Sequence, residues 1–449
     1  MNYTDTSTTA PAVRREVRAQ EPGLILRAHP VNEPPVQVHT GAASLELGAP
    51  IEENTTFNVG SVAKQITAYL CLRAASDGLL DLDRHVGDIL PRFRIPGVTV
   101  AELIQHRGGI RDAESLLSLA GFRDLDHYTA DDLLQLAYRQ RHRAVDPGHF
   151  LYSNTGYLLL GEVLKRVHDA SLQAVADGQI FTPFGMTSAR FKSDPREVVP
   201  GAAASYQLTT AGWLHQQRPV ALPGAGSLWC TATDLDRWLT YLWHEWQPTV
   251  GNPLPFEQHL AYQPSDHHPF TYGAGLYADA RPGRTAVFHY GHEQGFSAAV
   301  HLTNMGLRVI CLSNHTGIVA DHVAAAAVTA LCQRPEVDLG EVLSRSLQRQ
   351  PETPHIPENH PGMRTHHALL GTYASEDVPG TLRLTRCEES LYLWRRGTPD
   401  RLSRTGPATY TGDGFTLTLP MNSAGDEPPE GFCLDLDRAP GLRYQRRPN

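Results

Sequence analysis

The sequence predicts an α/β protein of the α+β kind. An antiparallel sheet flanked by helices carries an inserted all-helical lobe at about 80–246, and a small C-terminal all-β, barrel-like domain follows. Three observations carry this expectation. Strand-like runs at 22–50 and 272–314 bracket a mostly helical stretch, so the two ends share one sheet. A proline-rich break falls near residue 350. Short alternating runs fill the rest of the chain.

In order, "GLILRAHP" and "VQVHTGAASLELG" are extended runs separated by proline and glycine. From 61 to 75 the period changes, with Val62, Ile66, Leu70 and Ala74 at helical spacing. Segments such as "TADDLLQLAYRQ" and "GYLLLGEVLKRVHD" continue as helices. Four strand-like runs then lie one after another, "YGAGLYADA", "TAVFHYG", "FSAAVHLTN" and "LRVICLSN", before the helix "ADHVAAAAVTALC". Residues 349–363 carry four prolines and no apolar period, which marks a linker. Beyond it "TLRLT", "LYLWR", "FTLTL", "FCLDL" and "LRYQR" alternate as in a small antiparallel sheet or barrel. The expected domains are therefore 1–348 and 364–449.

Composition narrows the function. Hydrophobic residues make up 41% and charged residues 19%, the balance of a soluble globular chain. A net charge of −9 with no basic stripe argues against a nucleic-acid partner. Six scattered cysteines without a CxxC pair suit buried free thiols better than disulfides or zinc. The N-terminal stretch lacks the apolar core of a secretory signal, and no run of about 18 apolar residues follows. A cytoplasmic location and no membrane association are the expectation.

Lysine is rare here, with three among 39 basic residues, so "FNVGSVAKQITAYL" stands out. It places Lys64 three residues after Ser61, on one helical face. A serine hydroxyl needs a base beside it to act as a nucleophile, and a desolvated lysine supplies one. A surface serine with a solvated lysine one turn on is the plain alternative. In "FLYSNTGYLLLGEVL", Tyr152 and Asn154 straddle a serine before an apolar helix. In an extended segment residues i and i+2 point the same way, so the phenol and amide share a cleft. Capping of the helix by Ser153 or Asn154 explains the same text without catalysis. In "VFHYGHEQGFSAAV", His289 and Gly291 end a strand, with His292 next. A glycine there admits another backbone or a ligand.

Together, Ser-x-x-Lys, then Tyr-x-Asn about 90 residues on, then His-x-Gly on a late strand resemble the serine β-lactamase and penicillin-binding-protein-like superfamily. The likeness is strongest to its class C β-lactamase-like branch, with its D-aminopeptidases, D,D-carboxypeptidases and serine esterases. The phrases "TVAELIQHRGGI", "FTPFGMTSAR" and "GAGSLWCTATDLDRW" extend it over roughly residues 20–335. The resemblance implies a β-lactamase/transpeptidase-like fold with Ser61 as the acylated nucleophile. It implies that Lys64 and Tyr152 share the proton, with Tyr152 activating water in deacylation and Asn154 orienting Lys64 and the substrate amide. It further implies backbone N–H groups of Ser61 and His292 around the oxyanion, with His289 and Gly291 on the substrate-binding strand. No metal or organic cofactor is implied.

Two departures bear on substrate. Many relatives carry Lys-Thr-Gly where this chain has His289-Tyr290-Gly291, and a histidine is at most about half charged at neutral pH. "HRGG" at 106–109 replaces the usual "HTSG", with no chemistry inferred. The leading expectation is a serine hydrolase on small esters, or on amides and short peptides with a D-residue. A β-lactamase or D,D-carboxypeptidase is the second, and a non-catalytic binding or scaffold protein of the same fold the third. The expected partner is the small-molecule substrate, and the oligomeric state is left open.

Overall fold

The computed structural model describes residues 20–120, 126–216, 220–246, 254–279, 281, 286–293, 295–347, 369–387, 390–395, 398–420 and 429–447. The expected linker at 349–363 lies outside them. Eight antiparallel strands form the main sheet. Their order across it is Gln263–Pro264, Thr271–Gly273, Leu276–Asp279, Ala286–Glu293, Phe296–Thr303, Arg308–Ser313, Leu24–His29 and Val36–Thr40. The strand Leu24–His29 docks on the last strand in sequence, with Leu24 opposite Ser313 and His29 opposite Arg308. The two ends of the bracketed region thus share one sheet.

Alternation assigns the two faces of that sheet. Leu24, Leu26, Ala28, Val309 and Cys311 pack under the helices Ala320–Gln333 and Leu339–Leu347. Ile25, Ala298, Val300, Ile310 and Leu312 pack into the larger core on the opposite face. Because both faces are covered, Leu24, Ile25 and Leu26 are apolar without alternation, and the buried Arg27 that follows pairs with Asp236 at 2.9 Å. The larger core surrounds the helix Lys64–Ser76, ten of whose thirteen residues are buried. The inserted lobe is built on helices such as Ala130–Arg139 and Asn154–His168. It also contributes short strands, Arg190–Phe191, Leu228–Cys230 and the hairpin Tyr206–Thr209 with Gly212–His215.

The C-terminal strands close into an eight-stranded barrel running from Gly371–Ala374 to Ala439–Arg446. Its interior is filled by alternate residues, among them Leu382, Leu384, Leu391, Leu393, Leu417, Leu434 and Leu442. The turn between Gly431–Leu436 and Ala439–Arg446 docks on the lobe. Asp112 N–H donates to Arg438 O (2.9 Å), Ser115 Oγ to Asp437 O (2.6 Å) and Arg111 Nε to Pro440 O (2.7 Å). No described helix is long and apolar enough to cross a membrane. All six cysteines are free; Cys71, Cys230 and Cys311 are buried as expected, whereas Cys332 and Cys387 are exposed and Cys433 is half-buried.

Candidate active site

Ser61 lies in the short 3-10 turn Gly60–Ala63, and Lys64 opens the helix that follows. Side chains three apart eclipse in a 3-10 turn, and Lys64 Nζ lies 2.8 Å from Ser61 Oγ. The turn is held from behind. Gly60 adopts a φ of +50°, and its N–H donates to Asn58 Oδ1 at 3.0 Å. A Cβ on Gly291 would stand 2.2 Å from Val59 O and 2.7 Å from Ser61 N, so that strand can pass only with glycine.

Lys64 is fully buried, and its Nζ also meets Asn154 Oδ1 at 2.7 Å and Ala225 O at 2.6 Å. Burial pushes its ammonium down to about 7, with the Arg438 charge acting the same way. Asp112, Glu114 and Glu293 oppose the shift.

Ser153 is extended (φ −141°, ψ 115°) and caps Asn154–His168 by accepting from Gly156 N–H at 3.2 Å. Capping and site-building therefore coexist: the residues on either side of the cap both face Lys64. Its Nζ stands 4.9 Å from the Tyr152 ring centre. Asn154 donates from Nδ2 to Glu114 Oε2 (2.7 Å) and from its backbone N–H to Asp112 Oδ2 (2.6 Å). Asn154 is placed to orient Lys64, and it also lines the cleft. Burial pushes the Tyr152 phenol up, the Ser61 hydroxyl and Arg438 opposing. At rest it keeps its proton.

Ser61, Tyr152, Asn154 and His292 line one cleft of about 680 Å³. The backbone nitrogen of His292 passes 3.1 Å from where a Gly60 Cβ would be. His289 differs from its expected place on the binding wall. It is 1% exposed and absent from the cleft lining, with Nδ1 2.7 Å from Tyr290 O and Nε2 facing the Tyr272 hydroxyl at 3.3 Å. Burial, then the Lys64 charge, push its pKa down to about 3, so the ring is neutral. It is buried behind the cleft lining and brings no charge to it.

Four groups had no functional signal in the sequence. His106 of "HRGG" has a φ of +57° and a ring 4.1 Å from that of Tyr152. Its Nδ1 accepts from Ser153 N–H (3.1 Å), and its carbonyl accepts from Leu151 N–H (2.7 Å), bracing the Tyr152 segment on both sides. Glu114 and Glu293 line the cleft. So does Arg438, carried in by the barrel turn, with its guanidinium 4.7 Å from the Tyr152 ring centre. Only spatial closure links these to Ser61; nothing in their local text does. Among the described residues, no group of three or more His, Cys, Asp or Glu is placed to hold a metal ion.

The chain is similar to a D-aminopeptidase of Cereibacter sphaeroides, 24% identical over 304 residues. That match covers 67% of this chain and 58% of the relative. It is 31% identical over 169 residues to the esterase EstB of Burkholderia gladioli, covering 34% of this chain and 43% of the relative. An octameric penicillin-binding protein homologue from Pyrococcus abyssi shares the fold with a TM-score of 0.59 at 20% identity. There 95% of this chain and 96% of that one superpose, so the likeness reaches through the barrel. Residues 19–347 match the family model described as Beta-lactamase, and the chain, with its Ser61–Lys64 turn facing Tyr152 and Asn154, belongs to that family.

Proposed function

We propose that this protein is a serine hydrolase that forms a covalent acyl-enzyme at Ser61. Its substrates are small esters, or amides and short peptides with a D-residue. One observation carries the reading: the set of groups around Lys64 Nζ. A neutral amine has two N–H donors and one lone pair. Asn154 Oδ1 and Ala225 O can only accept, which leaves the lone pair for the Ser61 hydroxyl. The amine is thus matched to take that proton, and its pKa near 7 leaves a large neutral fraction at working pH.

Ser61 Oγ attacks the substrate carbonyl while its proton passes to Lys64. The new bond is Oγ–C, and the carbonyl electrons move onto oxygen, toward the backbone N–H groups of Ser61 and His292. A donor of this kind is worth about 3–4 kcal/mol of transition-state stabilisation. Collapse expels the leaving group, protonated from the Lys64–Tyr152 pair. Water then attacks the acyl carbon and gives a proton to the same pair; collapse breaks the Oγ–C bond, releases the acid and returns that proton to Ser61 Oγ.

Charge supports the substrate class. Glu114, Asp266, Glu293 and Asp437 line the cleft against a single guanidinium, Arg438. Such a cleft suits a neutral ester or the free ammonium of an N-terminal D-residue better than a carboxylate. The names of the relatives, a D-aminopeptidase and an esterase, agree with this choice. The β-lactamase or D,D-carboxypeptidase reading has one observation in its favour. Arg438, 43% exposed, is a cation available to a substrate carboxylate.

The test is intact-protein mass spectrometry after p-nitrophenyl butyrate, D-alanine p-nitroanilide and nitrocefin, with kcat/KM for each. Acylation of the wild type and none of Ser61→Ala is expected. Survival of more than about a tenth of kcat/KM in that variant, a loss under about 1.4 kcal/mol, removes the covalent mechanism. The ester or the anilide should exceed nitrocefin by at least about a hundredfold, the scale of one or two decades for a lost charge-assisted hydrogen bond. Equal or faster nitrocefin hydrolysis promotes the β-lactamase reading.

A further inference from the structure

We propose that Glu293 is a positioning residue that locks the Ser61 turn, the end of the His292 strand and the carbonyl holding Lys64 into one register. The inference rests on the serine-hydrolase reading above. Glu293 is the last residue of the strand Ala286–Glu293, directly after His292. Its Oε2 accepts from Ser227 N–H and its Oε1 from Ser227 Oγ, both at 2.8 Å. Gly226 lies flat beneath the carboxylate, since a Cβ there would stand 2.2 Å from Oε2.

Ser227 is a non-glycine residue at φ +53°, a conformation that persists only where surrounding contacts impose it. Its Oγ also accepts from Leu222 N–H (2.8 Å), and Gly226 N–H donates to Leu222 O (2.8 Å). The result is a closed turn over 222–227. That turn presents Ala225 O to Lys64 Nζ at 2.6 Å and Gly224 O to Thr67 Oγ1 at 2.8 Å, both on the helix that Lys64 opens. Burial pushes the Glu293 carboxyl up, and the two Ser227 donors, the Asn58 side chain and the Lys64 charge oppose that shift. Asn58 in turn holds Gly60 N–H, one residue before Ser61. Glu293 thus bonds the 222–227 turn through its carboxylate and packs on the Ser61 turn, where a Gly60 Cβ would stand 3.3 Å from its own Cβ, so three backbone segments far apart in sequence meet at it.

Glu293 is also one of three carboxylates near Lys64, with Asp112 and Glu114 from the helix Ala113–Leu119 and its cap. Facing the same amine are Arg438 from the barrel turn, Tyr152 and Tyr157 from the cap and helix, and the neutral rings of His106 and His289. Removing the Glu293 charge leaves Arg438 less opposed and makes the Lys64 ammonium easier to deprotonate. The acid limb of the acylation rate then moves to lower pH, a change that a merely structural contact would not produce.

The experiment compares the full-length wild type, Glu293→Gln, Ser227→Ala and the double variant. Acylation by p-nitrophenyl butyrate is followed from about pH 5 to 9, with thermal melting as the fold check. Glutamine keeps the shape but cannot accept from both Ser227 donors. A fall in kcat of about tenfold or more with KM within about threefold is expected for Glu293→Gln, the pattern of lost transition-state alignment. Its acid limb should move down by about half a pH unit. The double variant should be no more than about twofold slower than the slower single variant, because both changes cut the same link. If Glu293→Gln does not fold, Ser227→Ala, which removes only the Oγ contacts, carries the test with the same kcat-over-KM pattern. Near-wild-type kcat, an unmoved acid limb, or losses that multiply in the double variant overturn the inference. A wild type that is not acylated at all overturns the hydrolase reading and this one with it. A wild type that acylates beside variants that match it overturns this one alone.

Discussion

In the proposed mechanism Lys64 is the base, and its environment makes a directional claim about pH. Its pKa falls from the usual lysine range to about 7 because the side chain is fully buried, with Arg438 adding to the shift. The neutral form is the base, so activity should rise with pH through about 7 and stay up until another group titrates. A kcat/KM profile with p-nitrophenyl butyrate checks this; an acid limb centred two units away would contradict it. Lys64→Arg should be nearly as inactive as Lys64→Ala, a loss of about a thousandfold or more. Arginine keeps the charge but holds its proton at every working pH. Retention of most activity by the arginine variant would leave Lys64 an electrostatic anchor and put proton transfer on Tyr152 alone. The spacing of Ser61 and Lys64 is plain in the text. The low pKa is not, because it depends on burial among residues such as Asn154 and Ala225, distant in the chain.

At the scale of elements, the site is a junction of a turn, a cap and a strand end. The strand Ala286–Glu293 passes the Ser61 turn at Gly291 with backbone in contact with backbone. Gly291→Ala must therefore displace either Val59 or Ser61. Overpacking of this kind costs about 1–3 kcal/mol in stability. Activity should fall further than that alone explains, since the shift is borne by the N–H of Ser61, the proposed nucleophile. Thermal melting beside kcat measurement separates the two; a fully active alanine variant would show that the turn has slack. Ser153→Ala removes the helix cap for about 1 kcal/mol and loosens the segment holding Tyr152 and Asn154. Tyr152 and Asn154 were legible as a pair because a two-residue spacing in an extended segment gives one facing direction. His289 misled because an alternating strand offers two faces, and sequence alone did not say which one the sheet would bury. Here the buried face took it, against Tyr272 and Tyr277.

At the scale of the molecule, the barrel reaches the candidate site through its turn at Asp437 and Arg438, which line the Ser61 cleft. Asp112 links the two ends of this contact: its N–H donates to Arg438 O and its carboxylate accepts from Asn154 N–H. Arg438→Met keeps much of the side-chain bulk and removes the charge. Because Arg438 lowers the Lys64 pKa, its loss should move the acid limb of kcat/KM upward, opposite in sign to Glu293→Gln. Opposed shifts in the two variants, measured with one substrate, would place both groups in the field of the same amine. Shifts of the same sign would contradict the charge arrangement.

By itself the sequence determined the fold class, the bracketing of the lobe by one sheet, the C-terminal barrel and the local pairs Ser61–Lys64 and Tyr152–Asn154. Each of these is written in periods of two or three to four residues, and local periodicity is set by backbone geometry. Only the tertiary structure decided that Asn154 meets Lys64 and Glu114 at once, that His289 is neutral and buried, and that Arg438 and Glu293 reach the cleft. Those outcomes depend on burial and on Coulomb fields, which act through space. Arg438 is near Lys64 because the barrel turn closes over the lobe, and 374 residues of chain separation carry no trace of that meeting.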